Sequence, residues 1–202
     1  VILPLRIAQL VAASYTAAPS WSATWPEGRA RAVATIEGDT TVIAFPGTQT
    51  LADWFVDFRA YPATVTDYPI VGRCHAGFIQ ALARIAPQIL ADTRGKRVFV
   101  AGHSLGGALA QLFAGILAGL GRAPDGLWTF GAARCMADTN DFLAPLLAGI
   151  PGLDYRHRDD PVPFLLAGFA HPRPLTQLVP MSFELDVVAD HFIDNYVQAL
   201  AV

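Results

Sequence analysis

Phe78, Leu82, Ile85 and Ile89 recur three to four positions apart, which predicts a helix over 75–91 with one face in the core. Two β-rich runs, 31–36 and 41–45, flank Glu37-Gly38-Asp39-Thr40 and read as a hairpin. Behind Lys96 and Arg97, the stretch 97–101 is a short apolar strand, and a helix rich in small residues follows it directly. Further strands are expected at 127–130 and 153–158, helices at 138–148 and 190–201, and short strands mixed with turns over 175–188. The first fifteen residues are apolar enough to pass for a signal-peptide core. Pro4 and Arg6 come early, however, and Ile7, Leu10 and Val11 keep helical spacing, so they read as a first helix. No signal peptide is recognised in the chain, and secretion of a processed form stays compatible with this reading. Strands alternating with helices imply an α/β architecture, a mostly parallel central sheet with helices on both faces. No repeat or linker divides the 202 residues, which are read as one domain over 1–202.

Composition narrows the function classes. The charged fraction is 15%, below the usual ~25%, which argues against disorder. The net charge is −3 and no Lys/Arg run occurs, which argues against nucleic-acid binding. The apolar stretch 105–120 is broken by Gln111 and falls short of the ~20 residues of a membrane span, so no transmembrane segment is expected. Cys74 and Cys135 are read as buried free thiols rather than a bridge. The five histidines lack paired metal-ligand spacing, and neither a phosphate loop nor a dinucleotide fingerprint occurs. No cofactor and no metal are therefore expected.

The most informative string is Gly102-His103-Ser104-Leu105-Gly106-Gly107, a G-x-S-x-G between a strand and a helix. That turn lifts a serine hydroxyl above the sheet edge, and a Cβ at Gly102 or Gly106 would collide with the turn or the neighbouring strand. The helix N-terminus beneath Ser104 favours negative charge developing there. The bland alternative is a glycine-rich turn with an incidental serine. The backbone N–H of Leu105, the residue after the nucleophile, is the first expected oxyanion donor.

The chain resembles the class 3 lipases, the fungal triglyceride lipase-like α/β-hydrolases. The resemblance rests on GHSLGG at 102–107, on Phe45-Pro46-Gly47-Thr48 with Asp53-Trp54, and on His75-Ala76-Gly77-Phe78. It continues in Thr129-Phe130-Gly131, Asp160-Pro161-Val162-Pro163 and His191, in family order over about three quarters of the chain. It implies an α/β-hydrolase fold and a serine carboxylic-ester hydrolase that cleaves lipid or other apolar acyl esters. The chain order of such enzymes is Ser, then Asp or Glu, then His. His191, at the start of the last helix, is favoured as base over His171 in its His-Pro-Arg-Pro turn; His157 precedes both candidate acids. Asp160 matches the family's Asp-x-Val-Pro and is favoured over Asp159, with Pro161 and Pro163 expected to hold the loop extended. Asp190 is read as an N-cap of the terminal helix, and His75 and His103 as structural. The resemblance points to Thr48 as the second oxyanion donor.

Leu51, Trp54, Phe55 and Phe58 form an apolar stripe where the fungal relatives carry a lid. A fixed amphipathic helix over an open site is the competing reading. The expected partner is a small-molecule or lipid ester, with a lipid–water interface as a candidate place of action. A phospholipase, a feruloyl-type esterase and an inactive hydrolase-fold binding module stay as rivals.

Overall fold

Period-two alternation with both faces apolar builds the central sheet. Val98 and Val100 enter one core while Phe99 and Ala101 enter the other, and Ile43 and Phe45 divide from Val42 and Ala44 in the same way. The structure is a computed structural model that describes residues 3–16, 21–27, 30–48, 61–64, 67–93, 96–138, 140–181 and 189–202. Helix α1 (Pro4–Ala13) precedes strands β1 (Ala23–Glu27), β2 (Ala30–Glu37) and β3 (Thr40–Phe45). After β4 (Pro62–Ala63) and β5 (Cys74–His75) come α2 (Ala76–Asp92), β6 (Arg97–His103), α3 (Leu105–Gly119) and β7 (Gly126–Phe130). The chain continues through β8 (Met136–Ala137), α4 (Leu143–Leu147), β9 (Asp154–His157), β10 (Phe169–Ala170), β11 (Leu175–Val179) and α5 (Ile193–Leu200).

The large sheet has the order β1-β2-β3-β6-β7-β9-β11. It is parallel from β3 to β11 and antiparallel only at the β1-β2-β3 edge. The β2–β3 hairpin closes on Gly38 and Asp39, with Glu37 opposite Thr40. Helices α1 and α5 pack together on one face, and α2, α3 and α4 on the other. Helix α3 is buried almost all round, as its uniform apolarity implies. Its one polar interruption has a reason: Gln111 Nε2 donates to Asp154 Oδ2 (2.9 Å), Thr129 Oγ1 donates to Asp154 Oδ1 (2.8 Å), and Arg173 Nε lies 3.6 Å from the same carboxylate. No helix among the described residues is long and apolar enough to cross a membrane.

Several expectations change. The helix expected over 138–148 shrinks to α4, because Asn140 Oδ1 accepts the N–H groups of Phe142 and Leu143 while its amide donates to the carbonyls of Val71 and Arg73. Strand β1 and a second sheet, ordered β10-β8-β5-β4, carried too little pattern to be foreseen. Asp190 does not cap the terminal helix; Phe192 holds that position, after a 3-10 turn over Ala189–His191. The loop after Asp160 is not extended but turns into a 3-10 segment, Val162–Phe164. Cys74 and Cys135 are both buried and free. Leu51, Trp54, Phe55 and Phe58 lie outside the described residues.

Candidate active site

Strand β6 ends at His103, α3 begins at Leu105, and the single residue between them carries the turn. Ser104 has φ 59° and ψ −125°, a left-handed backbone that a residue with a Cβ rarely adopts. The surroundings hold it there: Ser104 N–H donates to Phe130 O (3.0 Å), and its carbonyl accepts Gly107 N–H (3.0 Å) and Ala133 N–H (3.2 Å). The elbow also needs its two glycines, since a Cβ on Gly102 would run into the Gly106 carbonyl and one on Gly106 into that of Phe45.

Behind the elbow, Asp160 and His191 meet. The Asp160 carboxylate, fully buried, has both oxygens 2.9 Å from His191 Nδ1. Its Oδ1 also accepts Val162 N–H (2.9 Å), so the 3-10 turn does the orienting that the prolines were expected to do. Its Oδ2 accepts the Tyr196 hydroxyl (2.5 Å), which in turn accepts His157 N–H (3.1 Å). Burial pushes the Tyr196 phenol well above its usual range, and the adjacent carboxylate adds to this, so it remains a donor. An acceptor-only carboxylate thus faces three donors, and the imidazole turns its other nitrogen away from the acid.

Ser104 Oγ and His191 Nε2 are both buried, and neither has a hydrogen-bond partner among the described residues. They are not hydrogen-bonded to each other in this arrangement. The ring of His103, the neighbour of Ser104, stacks on that of His191 with centroids 4.6 Å apart. Leu105 N–H belongs to the first turn of α3, where backbone donors have no intrahelical acceptor. The loop after β3 closes on the elbow from the other side: a Cβ on Gly47 would lie 2.9 Å from Ser104 Cβ. Thr48 follows at once and is half-buried.

The alternative residues stand elsewhere. His171 Nε2 donates to Pro163 O (2.7 Å), and burial lowers its pKa. His157 Nδ1 faces Asp190 Oδ1 at 3.4 Å, and Asp159 N–H donates to Asp190 Oδ2 (3.3 Å). Asp190 thus ties the segment carrying His191 to the segment carrying Asp160. His75 stacks on Phe78 and packs against Phe169, centroids 4.1 and 5.0 Å away. The two thiols are protonated, since burial pushes Cys74 up to about 12 and Cys135 well above its ordinary value. Among the described residues, no group of three or more His, Cys, Asp or Glu is placed to hold a metal ion. Sequence reasoning missed Tyr196 and Tyr15. Each follows ordinary helical spacing, which signals packing and not chemistry.

A family model described as Lipase (class 3) matches residues 42–169. A secreted mono- and diacylglycerol lipase of Fusarium solani is 33% identical over an alignment of 147 residues that covers 66% of this chain and 42% of that protein. The chain therefore spans less than half the length of that relative. The native Rhizomucor miehei lipase propeptide complex is similar with a TM-score of 0.68 and 23% identity, over 85% of this chain and 66% of that one. A lipase from Rhizopus microsporus var. chinensis gives a TM-score of 0.68 and 20% identity, over 86% and 72% of the two chains. Likeness at such identities speaks to the fold, and the fold is that of the α/β-hydrolases.

Proposed function

Because the chain belongs to the class 3 lipase family, we propose that it hydrolyses carboxylic esters of lipids or other apolar acyl groups through an acyl-enzyme intermediate. Ser104 Oγ attacks the ester carbonyl as His191 Nε2 takes its proton, and Asp160 holds the His191 Nδ1–H and stabilises the imidazolium. The carbonyl oxygen becomes an oxyanion held by Leu105 N–H and Thr48, a contribution of about 3 kcal/mol per donor. On collapse, His191 passes the proton to the leaving alcohol. The imidazole then deprotonates a water that attacks the acyl carbonyl, and Ser104 is released with its proton restored.

One observation carries this reading. Two buried polar atoms, Ser104 Oγ and His191 Nε2, lack partners among the described residues, the first on a strained turn and the second on a ring oriented by a carboxylate. Buried polar groups are normally satisfied, and such exceptions gather where a substrate completes the set. For the substrate class, Phe164 and Phe192 support an apolar acyl group. They are 47% and 57% exposed on the segments that carry Asp160 and His191. The F. solani relative makes mono- and diacylglycerols the first natural substrates to try.

Labelling with an alkyl phosphonate followed by peptide mass spectrometry tests the nucleophile. A single adduct at Ser104 is expected, together with turnover of a p-nitrophenyl ester series that Ser104→Ala abolishes. An unlabelled Ser104 in folded protein would leave a hydrolase-fold binding module instead.

A further inference from the structure

Every proton in the cluster beneath the elbow is assigned by its neighbours. His103 Nε2 lies 2.7 Å from the backbone oxygen of His191, and a carbonyl only accepts, so Nε2 carries the hydrogen. Burial, followed by the nearby His191, pulls the His103 pKa well below its ordinary value and keeps the ring neutral. Its Nδ1 is therefore an acceptor, and the Tyr15 hydroxyl, 2.5 Å away, must donate to it. Burial raises the Tyr15 phenol far above its usual range, so the proton is always there to give. The same oxygen accepts Gly47 N–H at 2.9 Å. One side chain just beyond α1 thus joins the loop that carries Thr48 to the backbone of His191, with His103 as the intermediate link.

We propose that Tyr15 is a positioning residue for ester hydrolysis, holding the Thr48 loop through Gly47 and the His191 backbone through His103 in fixed relation to each other beside Ser104. The proposal rests on the function given above for Ser104 and His191. Its geometry adds something to that function: the oxyanion side and the base side of the site are fixed by the same hydroxyl. If Tyr15 loses that hydroxyl, Gly47 N–H and His103 Nδ1 lose their common partner, and displacement of reacting groups by about 1 Å is enough for large losses of rate. The relay contacts only the backbone of Gly47 and His191 and the His103 ring, so the loss is expected in turnover.

Tyr15→Phe keeps the ring and deletes the hydroxyl. With a soluble p-nitrophenyl ester, kcat should fall about 10- to 100-fold with KM within about threefold, and phosphonylation of Ser104 should slow in parallel. The imidazole ¹⁵N spectrum gives a readout that simple destabilisation does not move. Wild-type His103 should show a single neutral tautomer protonated at Nε2 with a hydrogen-bonded Nδ1, and Tyr15→Phe should keep that tautomer while the Nδ1 resonance moves to that of an imine nitrogen with no donor. A Tyr15→Phe protein that labels and turns over at the wild-type rate overturns the proposal. A wild type inert to phosphonate overturns the parent function instead. If Tyr15→Phe does not fold, His103→Gln and His103→Leu decide. Glutamine can still accept from Tyr15 and donate to the His191 carbonyl, so it should recover at least tenfold more kcat than leucine; equal rates overturn the relay.

Discussion

Tyr196→Phe isolates the support beneath the acid. The substitution keeps a fully buried ring in place and removes one oxygen, which donates to Asp160 Oδ2 at 2.5 Å and accepts His157 N–H at 3.1 Å. A hydrogen bond to a charged group contributes about 1.5–3 kcal/mol, and an orphaned buried N–H costs about 1–3 kcal/mol more. Taking about 3 kcal/mol in all, and 2–4 °C per kcal/mol for a chain of this size, the melting temperature should fall by about 6–12 °C. Activity should suffer less. His191 Nδ1 and Val162 N–H still face the carboxylate at 2.9 Å, so the imidazole keeps its tautomer. At 15 °C, well below the melt, kcat/KM should stay within about tenfold of wild type. Scanning calorimetry and a p-nitrophenyl ester assay measure the two quantities, and a double-mutant cycle with Asp160→Asn isolates the pair. A variant that melts within 1 °C of wild type, or a cycle with no coupling energy, would refute the claim that Tyr196 stabilises the buried carboxylate.

The strained turn makes a second expectation. A non-glycine residue at φ 59° and ψ −125° stores about 1–3 kcal/mol, of which glycine entropy offsets about 0.5–1 kcal/mol. Ser104→Gly should therefore be inactive yet melt about 2–4 °C above the equally inactive Ser104→Ala, and an alanine variant at least as stable as the glycine one would show that the turn stores no strain. Acid should also weaken the fold. Burial lowers His75 to about 4, so between pH 6.5 and that value the unfolded chain binds more protons and stability falls as pH falls. With allowance for solvent screening, the loss is about 1–2 kcal/mol by pH 5, read from urea midpoints at pH 7 and pH 5. His75→Phe should flatten that slope, and an unchanged slope would assign it to other groups.

Legibility in the sequence followed the physics of each feature. The elbow was readable because its constraint is local: Gly102 and Gly106 are required by atoms that the motif itself brings close. The parallel strands were readable because burial on both faces leaves continuous apolar runs, as in Val98–Ala101. What stayed hidden is long-range. Two-residue strands such as Cys74–His75 have no period to detect. Gln111 seemed a flaw in an apolar helix until Asp154, 43 positions away, gave it a partner. Tyr15 is 88 residues from His103 and Tyr196 is 36 from Asp160, and their hydroxyls act only through tertiary contact.

The end of β7 explains how so short a sheet holds these parts in register. Phe130 O accepts the N–H of Ser104, so the strand fixes the height of the Ser104 turn. The next residue, Gly131, turns at φ +56°, and a Cβ there would come within 2.5 Å of Asp160 Oδ2, 2.9 Å of the Tyr196 hydroxyl and 3.1 Å of His191 Nδ1. Ser104, Asp160 and His191 therefore all lie against one peptide segment, although they come from three distant parts of the sequence. Strands β6, β7 and β9 are parallel neighbours, so their C-terminal ends lie side by side, and Ser104 and Asp160 follow β6 and β9 within a few residues. Strain at Ser104, a missing side chain at Gly131 and a buried carboxylate at Asp160 would each destabilise a protein alone. All three meet at the end of β7, where Phe130 O holds the Ser104 N–H and the missing side chain of Gly131 leaves room for the Asp160 carboxylate.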